Sequence, residues 1–311
     1  MAERIAAVIG IGSNSVRMLT AQISGDTGVR LGRERAATRL FAGLDTQRRL
    51  SRESMATTAG AAGEMATQAR ARGAEALTVF ATSATRDAVN ADEFAALIRK
   101  KTGADLLVCS GDEEAALSFI GASDGGDCGV IDIGGGSTEV VLGEGMQVRS
   151  AVSCQMGAVR LNRLIAIDSP ADLPGAIQAA AGVLDDTLAG QKAWRAPAYW
   201  RGTGGTFTCL SALVRDVDWT DRTVMHGTCL TREAVWEQAH RLAALTVPQR
   251  MEIHSLQPSR ADIVVHGICI LLACMERLDI PEITVSEYGN LDGMMKRTYG
   301  LKSLITLPIP R

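Results

Sequence analysis

Two short stretches of this 311-residue chain repeat each other at a domain-sized distance. Val8-Ile9-Gly10-Ile11-Gly12 and Val130-Ile131-Asp132-Ile133-Gly134 start 122 residues apart. Small polar residues follow each one: Ser13-Asn14-Ser15 in the first copy, Gly135-Gly136-Ser137-Thr138 in the second. A further apolar stretch comes next, at 16–19 and 140–142. The pattern is strand, tight loop, strand, written twice. Solenoid repeats recur every 20–45 residues or so, so this spacing implies two related domains that open with the same hairpin. The boundaries fall at 1–123 and 124–311, with the Gly-rich stretch 121–129 as the junction. The last ~12 residues are expected to cross back to the first domain, since chain ends are often tied down.

The segments between the hairpins read as α/β units. Helices are expected over 52–72, 91–101 and from about 112, with strands at 76–81 and 105–109. In the second half, helices are expected over 174–191, 206–214, 231–245 and 261–278, with strands at 198–201 and 282–286. Ser259, with Asp262 three residues on, reads as the N-cap of the last of these helices. The apolar run 263–275 is too short to span a bilayer, which takes about 20 residues. A membrane partner is therefore not expected.

Charge and composition exclude further classes. Lys and Arg number 32 against 35 Asp and Glu, a formal charge of -3, which does not suit a nucleic-acid binder. Aromatics are 4%, too few for a base-stacking platform. The seven cysteines form no C-x-x-C pair and read as small buried side chains in a reducing compartment, hence the cytoplasm. The four histidines have no metal-ligand spacing and read as structural.

Glycines cluster where an anion would need them. In Asp132-Ile133-Gly134-Gly135-Gly136-Ser137-Thr138-Glu139 the glycines let successive N–H groups turn toward one anion, and Ser137 and Thr138 add hydroxyls. Gly202-Thr203-Gly204-Gly205-Thr206 follows a strand and opens a helix, a ready phosphate site. Neither loop is a Walker A motif or a dinucleotide fingerprint.

These loops together resemble those of the actin/Hsp70/sugar-kinase superfamily. Within it the chain resembles the exopolyphosphatase / guanosine pentaphosphate phosphohydrolase (Ppx/GppA) family, in its short two-domain form. The stretches that carry the resemblance are Ile11-Gly12-Ser13-Asn14-Ser15-Val16-Arg17, Ala81-Thr82-Ser83-Ala84-Thr85-Arg86-Asp87-Ala88 and Ser110-Gly111-Asp112-Glu113-Glu114-Ala115, then 130–139, Met156-Gly157-Ala158-Val159-Arg160-Leu161, 202–206 and Ser286-Glu287-Tyr288-Gly289. The resemblance implies two ribonuclease-H-like domains facing across a cleft. It implies hydrolysis of a terminal phosphoanhydride, in inorganic polyphosphate or guanosine pentaphosphate, and a homodimer. Glu114 then aligns with the general base, with Glu113 a bystander, and Arg86 and Arg17 offset charge on the transferred phosphoryl group. Gly12, Ser13, Asn14, Ser15, Gly134, Gly135, Gly136, Ser137, Thr138, Gly204, Gly205 and Thr206 line the phosphate loops, and Asp132 and Glu139 hold Mg²⁺ or Mn²⁺.

One departure is sharp. The family's first loop carries an Asp where this chain has Gly10, and the internal repeat shows the same asymmetry against Asp132. Leu291 also stands where the family has an Arg. The departure leaves two readings open, a phosphohydrolase relying on Asp132, or a polyphosphate or guanosine penta/tetraphosphate sensor in which Gly10→Asp would awaken hydrolysis.

Overall fold

The computed structural model describes residues 3–189, 195–221 and 224–306. It divides into two compact units, 1–121 with 290–311, and 122–289.

In the first unit, β1 (Arg4–Ile11), β2 (Ser15–Ser24) and β3 (Thr27–Ala37) form an antiparallel meander. Helix α1 (Arg52–Ala71) crosses to β4 (Ala74–Ala81), which lies parallel to β1. The short α2 (Ser83–Arg86) and α3 (Ala91–Thr102) lead to β5 (Leu106–Val108), parallel to β4. Helix α4 (Gly111–Ala122) closes this run. From Ala6 on, β1 is buried on both faces, which is why it reads as a continuous apolar run and does not alternate. Ala59, Ala62, Ala66 and Ala69 give α1 a small-residue face for close packing, and Ser51 caps its start by accepting from the Ser54 N–H.

The second unit repeats the plan. Strands β6 (Asp127–Ile133), β7 (Thr138–Glu144) and β8 (Gln147–Cys154) are the second meander, followed by α5 (Ala158–Leu164) and α6 (Leu173–Leu188). Strand β9 (Tyr199–Thr203) pairs parallel to β6 and feeds α7 (Gly205–Arg215). Then come β10 (Cys229–Thr231), α8 (Arg232–Ala243), α9 (Val247–Met251), α10 (Val264–Arg277) and β11 (Glu282–Val285), parallel to β9. Finally α11 (Asn290–Tyr299) and β12 (Ser303–Thr306) rejoin the first unit, where β12 pairs with β3. This returning segment is longer than ~12 residues expected of a tied-down chain end; 307–311 lie outside the described residues.

The sheet orders are β12-β3-β2-β1-β4-β5 and β10-β11-β9-β6-β7-β8. Without the edge strands β12 and β10, both read as a three-stranded meander followed by two strands parallel to its first strand. This is the α/β, ribonuclease-H-like arrangement that the resemblance implied. Sequence reading missed β3, β8, β10, β12, α2, α5, α9 and α11. It also misplaced a cap: Ser259 sits inside a 3-10 turn, Pro258–Arg260, and α10 starts at Val264 after an uncapped Ile263. The expected helix over 174–191 is observed as Leu173–Leu188, and its last two expected positions lie outside the described residues. Six of the seven cysteines are buried as expected, and Cys229 is exposed.

Candidate functional site

In the first unit, the loops after β1, β4 and β5 leave the sheet at one end. The Thr82 N–H donates to the Ile11 carbonyl (3.1 Å), and the Cys109 N–H to the Ala81 carbonyl (2.9 Å). The hairpin loop is closed by Gly12 N–H to Ser15 carbonyl (3.0 Å). It is held from outside by the Arg39 and Phe41 N–H groups, which donate to the carbonyls of Asn14 (3.1 Å) and Ser13 (2.9 Å). Ser13, Asn14 and Ser15 are all buried.

Arg86 and Glu114 meet here. Arg86 Nη1 donates to Glu114 Oε2 at 2.9 Å and to the Cys109 carbonyl at 3.1 Å, and Glu114 is 5% exposed. The neighbouring Glu113 is committed elsewhere. Its Oε2 accepts from the Ser110 N–H (2.8 Å) while its own N–H donates to Ser110 Oγ (3.2 Å), a capping box at the start of α4. That hydrogen bonding holds the Glu113 carboxyl below its ordinary pKa. Burial, with help from Glu113, pushes the Cys109 thiol up to about 11, so it is no nucleophile at neutral pH.

Asn14 Nδ2, Ser83 Oγ, Thr85 Oγ1 and Arg86 Nη2 are buried without a hydrogen-bond partner among the described residues. Each such group costs about 1–3 kcal/mol if left unmet. All four can donate, which suits an oxygen-rich anion. Arg17, on β2, donates from Nη2 to Asn290 Oδ1 at 3.0 Å.

The second unit repeats the hairpin closure with Gly134 N–H to Ser137 carbonyl, again 3.0 Å. Here the loop lies on the start of α5. The Gly134 carbonyl accepts from the Ala158 N–H (3.0 Å), and the Gly135 carbonyl from Val159 (2.9 Å) and Arg160 (3.1 Å). The Gly136 carbonyl accepts from Arg160 Nε (2.8 Å). A peptide plane points its C=O and its N–H in opposite directions. Turning three successive carbonyls toward α5 therefore turns the N–H groups of Gly135, Gly136 and Ser137 away from it, as a row of donors. Gly157 makes the contact possible, because a Cβ there would overlap the Gly135 carbonyl. The Thr138 hydroxyl serves the fold: it donates to the Met156 carbonyl at 2.6 Å.

The third loop joins this one at Asp132. Gly204 has φ 95°, and a Cβ on it would stand 2.6 Å from Asp132 Oδ1. Helix α7 has no side-chain cap at its start. Thr206 is buried behind the loop, and Thr203 Oγ1 donates to the Tyr288 carbonyl at 2.7 Å. Arg260 is a residue that sequence reading passed over. Its guanidinium occupies the volume a side chain at 205 would need, and it makes no hydrogen bond or ion pair among the described residues. Its signal in the sequence is a lone arginine between Pro258-Ser259 and a long apolar helix, a place that by itself assigns no role.

The register brings the acidic residues together. Asp132 and Glu139 are direct partners across β6 and β7, 7% and 1% exposed, and Ser153 Oγ donates to Glu139 Oε1 at 2.8 Å. Among the described residues no group of three His, Cys, Asp or Glu could hold a metal ion. A cation here would have two carboxylates, with water completing its shell.

A family model described as the Ppx/GppA phosphatase family matches residues 22–300. Exopolyphosphatase 2 of Mycobacterium tuberculosis is 34% identical, over 94% of this chain and 98% of that protein. Guanosine-5'-triphosphate,3'-diphosphate pyrophosphatase of Vibrio atlanticus is 29% identical, over 93% of this chain and 58% of that protein. Among solved structures, an exopolyphosphatase-like protein superposes with a TM-score of 0.88 at 28% identity, covering 96% of this chain and 98% of the other. The Aquifex aeolicus PPX-GPPA enzyme superposes at 0.79 and 25%, covering 94% and 99%. The matched residues include the second hairpin loop, Glu114, the 202–206 loop and Arg260, and the chain belongs to the Ppx/GppA phosphatase family.

Proposed function

We propose that this chain is a phosphohydrolase that releases terminal orthophosphate by in-line attack of water, from inorganic polyphosphate or from the 5′ end of guanosine pentaphosphate. The observation that carries the reading is the buried Glu114, held 2.9 Å from Arg86 while Glu113 is consumed by the helix cap. Relatives named as exopolyphosphatases and as guanosine pentaphosphate pyrophosphatases support the hydrolase, and the higher identity is to an exopolyphosphatase. They lend nothing to a role as a binding-only sensor.

Glu114 accepts the proton of the attacking water, and Arg86 orients that carboxylate and offers its remaining N–H groups to phosphoryl oxygens. In the first unit, donors on the 12–15 and 82–86 loops bind phosphate oxygens; in the second, the 135–137 N–H row and Arg260 do so. Asp132 and Glu139 fit a hard divalent cation: both are buried carboxylates and direct partners across the hairpin. When bound, Mg²⁺ or Mn²⁺ offsets charge on the phosphate oxygens. Reduced cysteines fit a cytoplasmic protein, and no described helix is long and apolar enough to cross a membrane. A homodimer is proposed from the resemblance and is read by light scattering. The test is phosphate release from long-chain polyphosphate and from guanosine pentaphosphate with Mg²⁺. No release from either by wild type, or full release by Glu114→Gln, overturns the reading.

A further inference from the structure

The two hairpins share their backbone and their closing hydrogen bond, so equivalent side chains can be compared along one row across four strands. In the second unit the register aligns Ser153, Glu139, Asp132 and Thr203. In the first it aligns Arg35, Arg17, Gly10 and Phe80. Direct cross-strand partners project to the same sheet face. One row therefore carries four oxygen-bearing side chains with two carboxylates. Its counterpart carries two arginines, no side chain at the carboxylate position, and a phenyl ring.

The vacated position is filled. A Cβ on Gly10 would stand 2.9 Å from Phe80 Cζ and 3.1 Å from Leu291 Cδ2, and both of those residues belong to the apolar core of the first unit. Two sequence departures, Gly10 and Leu291, are thus one packing event completed by Phe80. A carboxylate there would be pressed into hydrocarbon, beside Arg17.

We propose that the duplicated hairpin has divided its ligands by charge. The second unit's row takes the divalent cation, and the first unit's row takes only anions, with Arg35 as a phosphate-directed partner of Arg17. Each chain then binds one catalytic cation, and Gly10→Asp does not create a second cation site. This rests on the phosphohydrolase reading for the cation itself. Its test reads binding and not turnover, so the two can fail separately.

The experiment titrates Mn²⁺ by electron paramagnetic resonance, and tripolyphosphate in EDTA by calorimetry, on the full chain. Wild type should bind one Mn²⁺ per chain. Asp132→Asn should weaken Mn²⁺ by about tenfold or more, as expected for lost metal-site carboxylate chemistry. Arg35→Gln should leave Mn²⁺ unchanged and weaken metal-free tripolyphosphate about tenfold, the scale of one charge-assisted contact. Gly10→Asp should still bind one Mn²⁺ and melt lower. Because that variant risks misfolding, Gly10→Asp/Phe80→Ala opens the volume, and it should also bind one. Two Mn²⁺ ions per chain in wild type or in either Gly10 variant overturns the proposal, as does unchanged tripolyphosphate affinity in Arg35→Gln.

Discussion

Asp292 is fully buried at the start of α11 and accepts from Arg30 Nη2 and, at 2.6 Å, from Arg33 Nη2. Arg30 is nearly as buried, and Arg33 is about one-fifth exposed. Asp292→Asn keeps the shape and removes the negative charge, leaving two guanidinium groups without their carboxylate. Breaking a buried pair this way costs about 3–5 kcal/mol; the exposure of Arg33 argues for the lower end, about 3 kcal/mol. The first unit has about 140 residues. At about 2 cal/mol/K per residue its unfolding entropy is roughly 0.3 kcal/mol/K, so its midpoint should fall by about 10 °C. All four tryptophans of the chain lie in the 122–289 unit. Far-UV circular dichroism follows both units, whereas tryptophan fluorescence follows the second alone. The variant should lower the dichroism transition and leave the fluorescence transition near its wild-type temperature. A dichroism midpoint within about 2 °C of wild type would refute the assigned energetics, since that equals well under 1 kcal/mol. Arg30→Met/Asp292→Leu supplies the converse: an apolar replacement of the pair should recover most of the loss.

Glu114→Gln should cut kcat by about a hundredfold or more with little change in melting temperature. Glu113→Ala, which loses only the capping box, should do the reverse, costing about 1 kcal/mol of stability with kcat retained. Arg260→Ala should raise KM for polyphosphate about tenfold or more, the roughly 1.5–3 kcal/mol of a charge-assisted contact, with a smaller effect on kcat in steady-state assays. His266 is buried with Nε2 2.9 Å from the Ile165 carbonyl, and burial lowers its pKa below the ordinary 6.5. The unfolded chain then takes up the proton first, so this contribution to stability is present above pH 6.5 and is lost as pH falls below it. Denaturant melts between pH 7 and pH 5 should show that slope in wild type and a flatter one in His266→Gln.

Much of the fold could be read from the chain because its two halves use the same loop chemistry. Glycines at 12 and 134 and serines at 15 and 137 mark a hairpin whose closing hydrogen bond recurs at 3.0 Å. The parallel strands and long helices carry clear periodicity or burial. The elements that escaped lacked it. Strand β3, with sequence Thr-Gly-Val-Arg-Leu-Gly-Arg-Glu-Arg-Ala-Ala, is half-exposed and rich in arginine, and its membership in the sheet comes from pairing with β2. Helix α11, with Asn290, Asp292 and two glycine-bounded turns, gains its place from burial of Leu291, Met294 and Met295 against the first unit. At the site, the separation of Glu113 from Glu114 needed coordinates: adjacent acids on a first turn look alike until one is seen to cap the helix. Arg260 and Phe80 were invisible for a different reason. Their roles come from what lies beside a glycine, and a glycine in sequence does not say which neighbour uses its missing side chain.

The same point governs how charge should be read. A formal charge of -3 on 311 residues excluded a globally basic protein, yet net charge is a sum, and the two rows of the duplicated hairpin cancel within it. Asp132 and Glu139 contribute two negative charges in one unit; Arg17 and Arg35 contribute two positive charges at the equivalent positions in the other. Local potential, not the total, concentrates an ionic ligand. A protein handling a polyanion together with a cation needs both signs, each fixed where its partner binds, and placing them on duplicated scaffolds keeps the opposite charges from neutralising one another along a single row. Filling the first row's carboxylate position with Phe80 and Leu291 completes that separation, because hydrocarbon at that point opposes any return of a charge that would compete with the arginines.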